Sequence, residues 1–268
     1  IALLQAEQEG LVVVSAANFG EYGYSSILSP GNDPYVITVG AAAHWESLPF
    51  DDDVVASFSS MGPTVIDGVI KPDLLAPGIQ IVSLRTPGSW IDNAFPATQV
   101  PLSAFQAGGA ADPSGYAAYS GTSMAAPVVA GAAALMIKKH GTLTPDTVKA
   151  RLMASAHSVL DDAVRAGAGV VDVHAALGLS APTLQSMEGR SPRINVTTNP
   201  DGTESVSVVD GALLYDTGVD PTVSGQIAIW GRTIVWGQIA IWGGRSAGQI
   251  AIWGRTVQSG PEVITAGQ

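Results

Sequence analysis

Ser123 opens an apolar stretch, in Gly121-Thr122-Ser123-Met124-Ala125-Ala126-Pro127. Val128 to Ile137 continue it without a polar break, and Lys138-Lys139 close it. The pattern predicts a helix apolar on all faces, set in the centre of a large domain. Its basic end suits the negative pole of the helix dipole. The start of such a helix offers unpaired backbone N–H groups and a partial positive charge. An attacking serine oxygen and the oxyanion it creates are both stabilised there. Gly121 lets the backbone turn sharply and lets a substrate come close. Ser123 therefore has two readings: a helix N-cap, the common role of serine at this position, or the nucleophile of an acyl transfer. The second requires a general base and an orienting carboxylate.

The surrounding elements read as α/β. Ile1 to Glu9 have helical spacing and end at Gly10, a C-cap residue. Leu11 to Ala17 form a continuous apolar run, the mark of a strand buried on both faces in a parallel sheet. Tyr35 to Ala41 read as a second buried strand. Ile79 to Ser83 read as a third, after a turn at Ala76-Pro77-Gly78. Thr144 and Pro145 are the N-cap and first residue of a later helix, with Val148, Leu152 and Met153 on one face.

Composition narrows the function classes. Hydrophobic residues make up 46% of the 268, and charged residues 13%, which is a packed core and not a disordered chain. The formal charge of −11 leaves no basic stripe for phosphates, so a nucleic-acid partner is not expected. With no cysteine, thiolate catalysis, disulfides and Cys-based zinc sites are excluded. No stretch has the length and apolarity of a transmembrane helix. The sequence opens at Ile1, inside a helical pattern, and reads as a piece of something longer.

Tyr119 to Gly131 resemble the serine-nucleophile signature of the subtilase family, the subtilisin-like serine peptidases. Val12 to Gly20 resemble the strand that ends in the family's oxyanion-hole asparagine, here Asn18. Ser29-Pro30-Gly31 resembles the segment around its cis-proline; Ala56 to Pro63, Lys71 to Gly78 and Gly167 to Ala176 are also family-like blocks. The resemblance implies a three-layer α/β/α subtilisin-like fold with a mainly parallel central sheet. It implies peptidase-domain residues over 1–179, with the first strands of the sheet absent from this chain.

The roles it implies are specific. Ser123 is acylated; the Asn18 amide and the Ser123 N–H hold the oxyanion; Ala16, Ala17, Gly121 and Thr122 line the bound substrate. The family usually has glycine where Ala17 stands. The triad Asp and His lie in motifs upstream of the oxyanion strand, and neither motif occurs here. His44, His140, His157 and His174 are expected to be surface or capping residues. The implied activity is an endopeptidase acting on proteins or peptides, secreted or at the cell surface. No cofactor is required, and a structural calcium is an option without an assigned site. Asp51-Asp52-Asp53 reads as a calcium-binding or simply solvated acidic loop. Asn195-Val196-Thr197 fits a glycosylation acceptor. The alternative to an enzyme is a non-catalytic binding or scaffold protein on a subtilase frame.

Two regions stand apart. The stretch from Arg85 to Ser114, with Trp90, Phe95 and Phe105, is longer than in compact subtilisins and is expected to be a surface loop near the cleft. Residues 180–224 read as a linker with weak strand content. In residues 225–268, Gly-Gln-Ile-Ala-Ile-Trp-Gly occurs three times, from Gly225, Gly237 and Gly248, and three Arg against one Glu leave a charge of +2. Trp230, Trp236 and Trp242 are six apart and would share a face on one extended strand. This tail reads as a module for surface attachment or self-association, or as a low-complexity appendage.

Overall fold

The computed structural model describes residues 8–18, 24–43, 53–107, 112–157, 163–180 and 189–198, a few residues between them, and strands between 204 and 266. The central sheet is built from β1 (Val14–Ala16), β2 (Ile37–Ala43), β3 (Val54–Val55) and β4 (Leu74–Pro77). β1 and β4 both pair parallel to β2, and β3 pairs antiparallel at its end. The expected mixed α/β fold with a mainly parallel sheet is therefore present. One strand assignment differs. The third parallel strand is Leu74–Pro77, whereas Ile81–Leu84 forms β5, which is largely exposed and antiparallel in a second sheet. The apolar run Leu74-Leu75-Ala76 was there to be read, but only three residues long before Pro77-Gly78.

Five helices are described: α1 (Trp90–Ala94), α2 (Thr122–His140), α3 (Pro145–Ser155), α4 (Ala163–Ala166) and α5 (Val173–Gly178). α2 lies across β1, β2 and β4. Its Ala125, Val129, Ala132, Ala133 and Met136 pack with Ile37, Val39, Ala41, Leu74 and Ala76 of the sheet. Each of the larger aliphatic side chains in that core contributes about 1.5–3 kcal/mol by leaving water, and the alanines let helix and sheet approach closely. The helix is not covered on every side, as its composition suggested. Pro127, Ala130, Ala134, Leu135 and Ile137 are exposed, because the described elements pack against one face only. Thr144 caps α3 by accepting from the Thr147 N–H at 3.1 Å, with Pro145 first in the helix and Val148, Leu152 and Met153 buried.

Where β2 and β4 begin lies a buried charge cluster. Asp73 receives the Lys71 ammonium at 2.6 Å, the Thr38 N–H at 2.7 Å and the Ser191 hydroxyl at 2.5 Å, with Lys149 at 3.4 Å. The two lysines also donate to the carbonyls of Pro34, Tyr35 and Val36. Residues 189–193 are drawn onto the domain by the same region: Ser191 donates its N–H to Pro34, the Ile70 N–H reaches Pro192, and Gly189 donates to Asp146.

The second sheet has the order β5–β7–β6, with β6 (Gln99–Pro101) and β7 (Pro113–Tyr119). β8 (Arg193–Thr198) and β9 (Glu204–Asp210) pair antiparallel. In the repeat region β10 (Gln226–Ile229) pairs with β11 (Arg232–Val235), and β12 (Gln249–Ile252) pairs with β13 (Arg255–Ser259), followed by β14 (Ile264–Ala266). The first and third Gln-Ile-Ala-Ile each start a hairpin in the same register, and the second, at 238–241, lies outside the described residues. Trp230, Trp236 and Trp242, which would share a face on one extended strand, lie outside the described residues.

Candidate active site

Ser123 is the second residue of α2 and is exposed. Three local features make that helix end unusual. Its N-cap is Gly121, so no side chain caps the first amides. Its first turn holds no acidic residue to cancel the positive pole. Pro127 sits four residues on and has no N–H, so the Ser123 carbonyl lacks its helical donor. Met124 and Ala125 donate to the Gly121 carbonyl, while the amides of Thr122 and Ser123 come before any helical acceptor. A serine that only capped the helix would stand at Gly121, one residue before the helix, not inside its first turn.

Gly121 takes φ +156°, a backbone state that side chains avoid. Its N–H bonds the Gly78 carbonyl at 2.8 Å. Gly78 itself has no room for more, since a Cβ there would stand 2.6 Å from that of Ala41 and 3.1 Å from the Gly121 carbonyl. The end of β4 and the entry to α2 are therefore in backbone contact, which fixes Ser123 against the sheet.

Asn18 stands two residues past the end of β1 and has φ +78°. Its carbonyl accepts from the Thr122 hydroxyl at 3.2 Å and from the Ser60 N–H at 3.3 Å. Residues 104 apart in sequence are thereby joined one position from Ser123. Of the other substrate-lining candidates, Ala16 and Gly121 are half-buried, while Ala17 and Thr122 are buried, Ala17 fully, with its N–H on the Val39 carbonyl.

The described histidines stand elsewhere. His140 is 17 residues along the same helix, which is about 26 Å at 1.5 Å per residue, and its Nε2 contacts the Leu177 carbonyl. α5 therefore sits at that far end, and exposed His174 with it. His157 forms a bridge with Val170, which pairs in turn with Leu75. His44, Asp51 and Asp52 lie outside the described residues, and Asp53 is buried just before β3. Among the described residues no group of acidic or histidine side chains is arranged to hold a metal ion. None of their helices is long and apolar enough to cross a membrane.

Sequence reasoning missed two contributors. Thr122, expected to touch substrate, ties the helix to Asn18. The Lys71–Asp73–Lys149 cluster went unread, although its signal was present: Lys71 and Asp73 flank Pro72 within an apolar block.

Residues 2–178 match the Subtilase family, Peptidase S8. The chain belongs to the subtilase family. It is 45% identical over 148 residues to the serine protease AprX of Bacillus subtilis, covering 55% of this chain and 30% of that protein. It is 34% identical over 174 residues to subtilisin E of Bacillus subtilis, covering 64% of this chain and 35% of the relative. Among solved structures, fervidolysin from Fervidobacterium pennivorans, a keratinolytic enzyme related to subtilisin, superposes with a TM-score of 0.52 at 25% identity. That match covers 78% of this chain and 31% of fervidolysin. The chain thus spans about a third of the length of these relatives, and the fold is subtilisin-like.

Proposed function

We propose that this chain supplies the nucleophile and the oxyanion hole of a serine endopeptidase. The Ser123 oxygen attacks the carbonyl carbon of a peptide bond while a base takes its proton. The tetrahedral oxyanion is held by the Ser123 N–H and the Asn18 side-chain amide. Collapse expels the amine, which takes a proton, and leaves an acyl group on Ser123. Water then attacks the ester and restores the serine. The base and its orienting carboxylate come from a histidine and an aspartate upstream of Ile1. The protein acts on proteins or peptides, outside the cell or at its surface.

The observation that best supports this reading is the Thr122–Asn18 hydrogen bond beside an exposed serine at an uncapped, unneutralised helix start. A non-catalytic scaffold on the same frame would retain the packing of α2. It would have no chemical use for both Ser123 and Asn18. Casein hydrolysis by the full-length protein separates the two. Activity that disappears in Ser123→Ala supports the peptidase; a full-length protein that binds but never cleaves supports the scaffold.

A further inference from the structure

Within the stretch from Arg85 to Ser114, residues 85–99 are tied together by one carboxylate. Asp92 is buried, yet its oxygens accept from Arg85 Nε and Nη2, the Gly88 N–H and the Gln99 side-chain amide, the last three at 2.8 Å. The Arg85 hydrogen bonds, with those from Gly88 and Gln99, hold this carboxyl down to about 2. Residues 85–99 are therefore fixed by a satisfied polar hub, and Trp90 and Phe95 face outward.

Val82 and Leu84 lie two apart on β5, and Leu84 pairs directly with Tyr116 of β7. All three are on one face of the sheet, and Phe105 packs on Tyr116 with ring centroids 5.3 Å apart. Leu84 is 79% exposed, Phe105 53%, Val82 49% and Tyr116 42%. A contiguous apolar patch on a rigid support is the signature of a recognition surface. Its position says what it recognises. β7 runs into Ser120-Gly121 and then Ser123, and the base of the hairpin is stapled by the Gln80 N–H on the Ser120 hydroxyl and by the Gly121–Gly78 bond. Tyr116 is seven residues before Ser123, so the two are at most about 23 Å apart. An extended substrate of about seven residues reaches from one to the other.

We propose that Val82, Leu84, Tyr116 and Phe105 form a docking surface for an apolar stretch of the polypeptide substrate, several residues away from the bond that is cut. This rests on the peptidase reading above, since the strand that carries Tyr116 runs directly into the serine that reading makes the nucleophile. The surface selects unfolded or apolar segments that short peptides lack.

The test uses the full-length protein with Ser123→Ala, so that binding is read without turnover. The probes are fluorescent reduced, carboxymethylated α-lactalbumin and a tetrapeptide too short to reach the patch, both followed by anisotropy. In Leu84→Ser/Phe105→Ser the Kd for the long chain is expected to rise about tenfold through lost apolar burial. The Kd for the tetrapeptide stays unchanged. Unchanged binding of the long chain overturns the proposal. So does equal weakening of both probes, or a dimer that dissociates in the double variant while long-chain binding stays intact. Absence of casein hydrolysis by the unmodified protein contradicts the peptidase reading alone and leaves this binding comparison standing.

Discussion

Asn18 is held in a backbone state that costs most residues about 1–2 kcal/mol and asparagine less. Its carbonyl is engaged by Thr122 and Ser60, so those contacts position the residue through its main chain, and the proposed reading gives its side-chain amide to the oxyanion. Asn18→Ala removes that donor. The account predicts a fall in kcat of about 10²–10³, the usual effect of deleting one oxyanion donor, with little change in KM. It also predicts a modest loss of stability, since alanine is less at ease with positive φ. Steady-state kinetics on a peptide substrate and a thermal melt read the two effects separately. A change in KM alone would point to a role in substrate binding instead. The sequence picks out both candidates, Ser123 and Asn18, because each sits in a long motif. What brings them together was not. The threonine hydroxyl that links α2 to the end of β1 has no local signature, since its partner is a carbonyl 104 residues away.

At the scale of elements, two features hold the framework of the site: the backbone contact between β4 and α2, and the charge cluster where β2 and β4 begin. Burial pushes Lys71 down from 10.5 to about 7, against the pull of Asp73. Burial alone would push Asp73 up, but Lys149, Lys71 and the Ser191 hydroxyl together hold it below its ordinary value. Asp73→Asn leaves two buried lysines without their carboxylate and is expected to cost about 3–5 kcal/mol, measured from urea unfolding midpoints. The pH dependence has a definite sign. Between about 7 and 10.5 the unfolded chain carries a proton on Lys71 that the folded chain lacks, so this group makes stability rise with pH across that window. Lys71→Met should flatten that rise; an unchanged slope would contradict it. Asp73 acts at the other end, contributing stability above 3.8 that is lost as pH falls. The sequence showed the capped helix α3 and the strand β2 because caps and long apolar runs are local signals. It misplaced the third parallel strand because Leu74–Pro77 is short and Ile81–Leu84 has more β-branched character. Which faces of α2 are covered depends on neighbours that periodicity does not reveal.

At the scale of the whole molecule, the peptidase-like region gathers one parallel sheet, one long helix and a projecting three-stranded sheet around Ser123. Residues 189–193, beyond the stretch that matches the family, are nonetheless bound to its buried cluster. The first and third repeats beyond them start hairpins of common register, a regularity visible in the sequence as a repeat but not as a pairing scheme. What separates a peptidase from a scaffold on this frame is neither tail nor platform but the reactivity of one hydroxyl. A fluorophosphonate probe phosphonylates only an activated serine. On the full-length protein, mass spectrometry should place the adduct on Ser123, and Ser123→Ala should abolish labelling. An adduct on another residue, or undiminished labelling of Ser123→Ala, would contradict the account.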